Sequence, residues 1–398
     1  MDSFYKLKNG TKIKPVIPEL EFSNRIKKLR SYMERNNMQC IILTSIHNIK
    51  YYTNFLYCSF GRNYAALVTH SDVVLITAGI DSGNPWRRSV KCKNLTYTDY
   101  NKSNFYKTVK SEFLPDFKTI GYEADHINVQ VFERIKNMWG AKYINVSQDL
   151  MKMRLIKSNA EIDIIKNAAK IANKVCDYIL QNCKGQREID IAQDANKIMY
   201  KEISDMYPTT ELRDCWLWIQ SGINTDGAHN ALTSRTINEG DLLSINCFPM
   251  IDGYYIALER TVCVGKPSKE RLKYWNINCE VFEKGISLIK PGVVVSDIAK
   301  ELNKIYEKYG VLNFRTFGYG HSFGVLSHYY GRETILEIRE DNNTVLEPGM
   351  VISMEPHITV PHTMPGAGGY REHDILLLTD SGHVNLTNYK YGPKNMII

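Results

Sequence analysis

A chain of 398 residues is longer than one hydrophobic core usually grows, so it is expected to fold as two domains. A hydrophobic share of 43% fits a folded globular protein, and the net charge of +7 is spread over Lys and Asp/Glu interleaved along helical segments, which argues against a nucleic-acid groove. The nine cysteines are odd in number and lack a CxxC pair, the usage of reduced thiols and not of a disulfide framework or structural zinc site. No apolar run approaches the ~20 residues of a membrane span and the N-terminus has no signal-like apolar core, so a cytoplasmic protein without a membrane partner is expected.

In chain order, Phe22, Ile26, Leu29 and Met33 fall at helical spacing, and Cys40 to Thr44 follows as a buried strand. Ala65 to Thr69, Val73 to Thr77 and Thr119 to Tyr122 read as further strands, giving an α/β first domain. The segment from Tyr51 to Arg62 is unusually aromatic; it is either a rim of core aromatics or a projection that finishes a binding site. Met153 to Ser158 reads as a hinge, with Ser158 capping an amphipathic helix that carries Ile164, Ala168, Ile171 and Val175.

The predicted domains are therefore 1–157 and 158–398. In the second, helices are expected at Glu188 to Ile203, at Glu270 to Ile289, and in a segment capped by Ser296. Strands are expected at Leu242 to Cys247, Tyr254 to Val264, Met350 to Glu355 and Asp374 to Thr379. The fold class is α+β, an α/β domain followed by an antiparallel sheet flanked by helices.

The residues suited to chemistry gather in this second half. Asp226-Gly227-Ala228-His229-Asn230 carries an imidazole able to move protons near neutral pH. Glu259 and Glu355 each lie in an expected strand, where alternation puts Tyr255, Ala257 and Glu259 on one face and Val351, Ser353 and Glu355 on another. If these strands share a sheet the carboxylates meet, and a proton, a metal or a cationic ligand must relieve them. Taken singly, either Glu can instead pair with an Arg such as Arg260 or Arg371. The Gly-rich run Gly318 to Gly324 is expected to let the backbone approach a ligand and lacks a phosphate-loop lysine. His321 and His373 lie in similar Gly-rich or strand-edge contexts. Arg332 is a candidate anion binder, unless it serves only as an ion pair with Glu333 or Glu337.

At Asn224 to Asn230, Phe248-Pro249-Met250, Tyr254 to Thr261, Phe317 to Val325, His328 to Glu333 and Gly366 to Asp374, the chain resembles the creatinase branch of the pita-bread superfamily of methionine and Xaa-Pro aminopeptidases. The likeness extends to Phe55 to Arg62 and so spans both domains. Metallopeptidases of that superfamily hold two metal ions through two Asp, one His and two Glu. The matching positions here are Asn246, Ala257, His321, Glu355 and His373, so a dinuclear site is not expected, although His321, Glu355 and His373 form a set that could hold one ion.

The resemblance implies a metal-independent, cofactor-free hydrolase converting creatine and water to sarcosine and urea. It implies His229 as catalytic base, Glu259, Glu355, His321 and His373 around a guanidinium, with Tyr255 beside them, and Arg332 on the substrate carboxylate. It also implies a homodimer in which Phe60 and Arg62 complete the neighbouring subunit's site. The alternatives are another pita-bread hydrolase, acting on Xaa-Pro peptides or a different guanidino or amidine compound, or a non-catalytic binding relative.

Overall fold

The computed structural model describes residues 2–58, 60–111, 117–329 and 332–398. Ser59, Tyr330 and Gly331, which belong to the motifs above, lie outside the described residues. The chain divides into two compact units, one running to Met151 and one formed by Lys152–His328 and Arg332–Ile398.

The first unit contains β1 (Phe4–Tyr5), α1 (Glu19–Arg35), β2 (Cys40–Leu43), α2 (Ile46–Thr53), β3 (Ala65–Thr69), β4 (Val73–Ala78), α3 (Asn84–Arg88), β5 (Lys93–Tyr97), α4 (Asn104–Val109), β6 (Thr119–Tyr122), α5 (Val129–Lys136) and β7 (Lys142–Asn145). Its strands form one mixed sheet in the order β1-β5-β4-β3-β2-β6-β7. Helix α1 buries Phe22, Ile26, Leu29 and Met33, the residues whose spacing predicts it. The aromatic segment separates by burial: Tyr51, Tyr52, Phe55 and Tyr57 belong to the core, whereas Phe60 is 82% exposed. Arg62 is also exposed and pairs with Asp99. The core reading thus holds for most of this stretch, and a projecting role is left to Phe60 and Arg62.

A further helix, α6 (Ser147–Leu155), runs across the division between units and just into the segment read as a hinge. The second unit then builds α7 (Asn159–Asn182), α8 (Glu188–Met206), β8 (Trp216–Ser221), β9 (Leu242–Phe248), β10 (Met250–Ile251), β11 (Tyr254–Tyr255), β12 (Leu258–Cys263), α9 (Lys269–Leu288), α10 (Val295–Lys308), β13 (Val351–Met354), β14 (His357–Val360), β15 (Gly368–Thr379) and β16 (Gly382–Asn385). Ser158 caps α7 as expected, in a reciprocal box in which its amide donates to Glu161 Oε2 at 2.8 Å. Ser296 does not cap α10: the helix begins a residue earlier with Val294 at its N-cap, and the Ser296 hydroxyl turns toward Asn343.

The main sheet of this unit is antiparallel, in the order β13-β15-β12-β9-β8, with β14 and β16 also on β15. Helices α7 and α8 pack on the β8–β9 side and α9 packs on β13 and β15, so the expected antiparallel sheet flanked by helices is realised. One expected strand divides. Tyr254 to Val264 breaks after Tyr255, because β10 and β11 form a separate hairpin turned at Asp252 and Gly253, both with positive φ.

Candidate active site

Strand β15 lies between β12 and β13, and its register builds the centre of the site. Glu259 on β12 sits directly across from His373. On the other flank Met354 faces Asp374, so Glu355, one residue beyond the end of β13, continues the register to His373 from the opposite side. The two carboxylates therefore do meet, with an imidazole between them. His373 Nδ1 lies 3.3 Å from Glu259 Oε2 and 3.1 Å from Glu355 Oε2. Neither ring nitrogen of this buried histidine makes an aligned hydrogen bond among the described residues.

Alternation along β15 places Arg371 beside His373 on the same face. The Arg371 guanidinium donates to Asn246 Oδ1 at 2.7 Å and lies 3.6 Å from Glu259 Oε1, so of the two arginines that could have paired with Glu259 it is Arg371 that does. Glu372 and Asp374 point to the other face, where Arg260 sits 2.6 Å from Asp374 Oδ1 and Trp275 donates to Glu372 Oε1.

The shared site splits the two carboxylates electrostatically. Burial works against the charge on Glu259, but Arg371, His373 and His357 outweigh it and bring its carboxyl down to about 2. Glu355 has no such guanidinium contact, and burial, with Glu259 as a like-charged neighbour, pushes it above the usual range. Burial lowers His373, yet Glu355 and Glu259 more than compensate, and its pKa rises on balance.

His321 closes the group from the run after α10. Its Nδ1 lies 2.8 Å from the Ser322 carbonyl, an acceptor that fixes the ring proton on Nδ1 and leaves Nε2 as a lone pair 3.5 Å from Glu355 Oε1. Burial, followed by the charge on Arg332, holds this ring neutral by lowering its pKa far below the usual histidine value. The glycines around it serve packing: a Cβ on Gly320 would come within 2.1 Å of the Ser353 carbonyl. One close approach of this run is therefore to strand β13, while Gly318 and Gly320 also line the cavity beside His321. A cavity of about 520 Å³ opens on His321, Glu355 and Arg332. Arg332 commits one edge of its guanidinium to Glu337, with Nη2 at 2.8 Å from Oε1, while Glu333 turns away to Arg154 and Lys157.

His229 stands apart from this group. It is exposed, its ring is edge-on to Trp218 with centroids 6.2 Å apart, and it makes no hydrogen bond to either carboxylate. Its loop is nevertheless tied to the site, since Arg371 Nη1 also donates to the Ala228 carbonyl at 3.3 Å and Gln220 donates to the carbonyls of Gly227 and Asn230. Tyr255 does not share a continuous strand face with Glu259, because the chain breaks between them. Its hydroxyl donates to the Asp214 carbonyl, and its ring is T-shaped to His328 at 5.0 Å. Phe60 and Arg62 belong to the first unit.

Sequence reasoning missed His357, Trp218 and Gln220, and named His328 only within a family motif and Arg371 only there and as a possible ion-pair partner. His328 sits among Phe248, Tyr255 and Phe323 with its pKa driven down to about 3, chiefly by burial, and acts as a neutral wall. A strand signal at Trp216-Leu217-Trp218-Ile219 was available for β8, but nothing local ties Gln220 or Arg371 to the His229 loop.

The residues at the superfamily's metal-binding positions do not fit a dinuclear centre. Ala257 offers no donor, the Asn246 oxygen is taken by Arg371, and that fixed cation stands beside Glu259. Among the described residues the group able to share a single ion is Glu259, Glu355 and His373, whose ligand atoms lie within 4.8 Å of one another. His321 is not a member of it. No helix among the described residues is long and apolar enough to cross a membrane.

Residues 163–380 match the model of metallopeptidase family M24, and residues 25–156 match that of the creatinase/prolidase N-terminal domain. Creatinase of Bacillus sp. (strain B-0618) is 48% identical over 394 residues, 98% of this chain and 96% of that protein. The uncharacterized peptidase YqhT of Bacillus subtilis is 26% identical over 94% of this chain and 99% of that protein. The crystal structure of the prolidase from Pyrococcus horikoshii OT3 superposes with a TM-score of 0.77 at 23% identity, covering 92% of this chain and 99% of that one, a likeness of fold. The chain is a hydrolase that belongs to the creatinase branch of metallopeptidase family M24.

Proposed function

We propose that the chain hydrolyses creatine to sarcosine and urea without a metal. The observation that carries this reading is the buried His373 held between Glu259 and Glu355, charged groups in ion-pair range with no aligned hydrogen bond from the ring. A guanidinium laid against the two carboxylates, beside His373, gives each of them N–H donors, and the Nε2 lone pair of His321 receives another. Clamping the terminal nitrogens twists the bond to the methylated nitrogen and localises charge on the central carbon. His229 removes a proton from the attacking water and returns it to the departing sarcosine nitrogen, so that the C–N bond breaks as the new C–O bond is completed. Arg332 takes the substrate carboxylate, and the partner subunit's Phe60 and Arg62 close the site in a homodimer.

Urea release from creatine, measured with and without a strong chelator, tests the reading. Chelator-resistant turnover is expected. A chelator-sensitive activity on Xaa-Pro dipeptides, restored by a divalent metal, would instead favour a second reading that uses Glu259, Glu355 and His373 as ligands for one ion. Tight creatine binding with no urea formed would point to a silent binding relative.

A further inference from the structure

The loop that carries His229 is gripped at both ends by one carboxylate outside the site. Glu188, the first residue of α8, has no exposed surface. Its Oε1 accepts from the Ser221 amide at 2.7 Å and the Ser221 hydroxyl at 2.6 Å, where β8 ends and the loop begins. Its Oε2 accepts from the Thr233 amide at 2.8 Å and the Thr233 hydroxyl at 2.6 Å, where the loop leaves. The Asn224 amide group spans both oxygens at 3.1 Å. Arg235 reinforces the entry by donating to the Ser221 hydroxyl at 2.7 Å while held by Asp241.

No other side chain of the unit binds both ends of this segment among the described residues, and an ionised carboxylate is the one side chain with acceptor capacity on two oxygens for donors arriving from two sides. Position at the start of a helix favours that negative charge. Burial opposes the charge, but the hydroxyl and amide donors prevail and keep the pKa below the ordinary value.

We infer that Glu188 is a positioning residue for the reaction: it closes the segment from Ser221 to Thr233 into a fixed loop and so sets where His229 presents its imidazole. This rests on the reading of His229 as the base. The middle of the clamped span is braced by Gln220, which reaches in from β8 to the carbonyls of Gly227 and Asn230, and by Asn230, which donates to the Asn224 carbonyl at 3.0 Å and to Asp226 Oδ1 at 2.8 Å. The clamp therefore fixes the ends of a loop whose interior is already braced, and a change at Glu188 moves the loop as a unit.

The test is Glu188→Gln in the full chain, which is nearly isosteric but offers one acceptor and one N–H₂ group, so that donors at one end of the loop meet a donor. A misplacement near 1 Å costs about 10²-fold, so kcat for urea release is expected to fall on that scale while KM for creatine stays near the wild-type value. Hydrogen exchange at the Ser221 and Thr233 amides should speed up. Glu188→Asp should recover part of kcat, and Thr233→Val, which leaves the carboxylate and four of its donor groups in place, should give a smaller loss of the same kind. Wild-type kcat in Glu188→Gln, unchanged exchange at both amides, or a rise in KM without a fall in kcat would each overturn the inference. Should the wild-type chain itself release no urea, the functional reading fails, and the exchange rates then judge the clamp separately.

Discussion

Arg371 lets the strength of the site's internal electrostatics be worked from geometry. Replacing it with methionine removes a 2%-exposed guanidinium that donates to Asn246 and Ala228 and faces Glu259 at 3.6 Å. Removing one partner of a buried pair costs about 3–5 kcal/mol, because the other charge is left behind. The displacement of Glu259 from 4.5 to about 2 leads to a similar figure: burial opposes it, and at about 1.4 kcal/mol for each tenfold change the net is about 3 kcal/mol, with Arg371 the largest favourable source. Because the folded value is depressed, this stabilisation is present above pH 4.5 and is lost as pH falls toward 2. Urea denaturation of Arg371→Met should therefore show a deficit of about 3 kcal/mol or more at pH 7 that narrows by about 2 kcal/mol at pH 3. A deficit independent of pH, or a variant as stable as the wild type, would refute the argument that Arg371 holds Glu259 ionised.

Glu372 has the opposite sign. Burial raises it to about 8, so its folded-state proton contributes stability that is full below pH 4.5 and lost as pH rises toward 8. The near-isosteric Glu372→Gln should flatten that part of the stability profile, seen as a smaller drop in Tm between pH 5 and pH 9 than in the wild type. His229→Ala should lose about 10²- to 10⁴-fold in turnover with binding largely kept, and retention of most urea release would rule out its role as base. Mixing inactive His229→Ala with inactive Arg62→Ala should restore part of the activity once subunits exchange, because one of the two sites in the mixed dimer would carry neither change. No recovery after demonstrated exchange would exclude a shared site.

What the sequence revealed about this site follows from which interactions are local. The period-two pattern placed Glu259 and Glu355 in or beside strands, and the shared family motifs brought His321 and His373 into the same region. The pairing register that puts His373 between them depends on which strands become neighbours in the sheet, and no local signal specifies that. The same limit explains Tyr255, whose alternation with Glu259 is interrupted at Ile256 and Ala257, between the β10–β11 hairpin and β12. It also explains Gly320, where the neighbour demanding a small residue is a carbonyl 33 residues further along, at Ser353. Ser296 misled for a simpler reason: a serine near a helix start resembles a cap even when the helix begins before it. Glu188 reads in sequence as an ordinary acidic residue in a first helical turn, since its partners are spread from Ser221 to Thr233.

The two faces of β15 provide an internal comparison of charged networks, one fully buried and one opening at Glu355. On the face toward α9, Arg260 spends its donors on the carbonyls of Lys390, Glu259, His373 and Tyr389 and on Asp374 Oδ1, at 2.6–3.0 Å. The oxygen left over there, Glu372 Oε2, belongs to a carboxyl that burial keeps protonated near neutral pH. That network is satisfied apart from this one oxygen and reads as architecture. On the opposite face the same strand presents His373 to two carboxylates with no aligned hydrogen bond from its ring, and Arg371 reaches only Glu259 of the pair closely. Buried polar groups are normally satisfied, so the larger number of unpartnered atoms on the His373 face, both ring nitrogens and Arg371 Nε against Glu372 Oε2 alone, supports that face as the candidate site. The arrangement there, two carboxylates flanking a histidine with the His321 lone pair nearby, suits a cationic ligand, the guanidinium proposed above or a single metal ion.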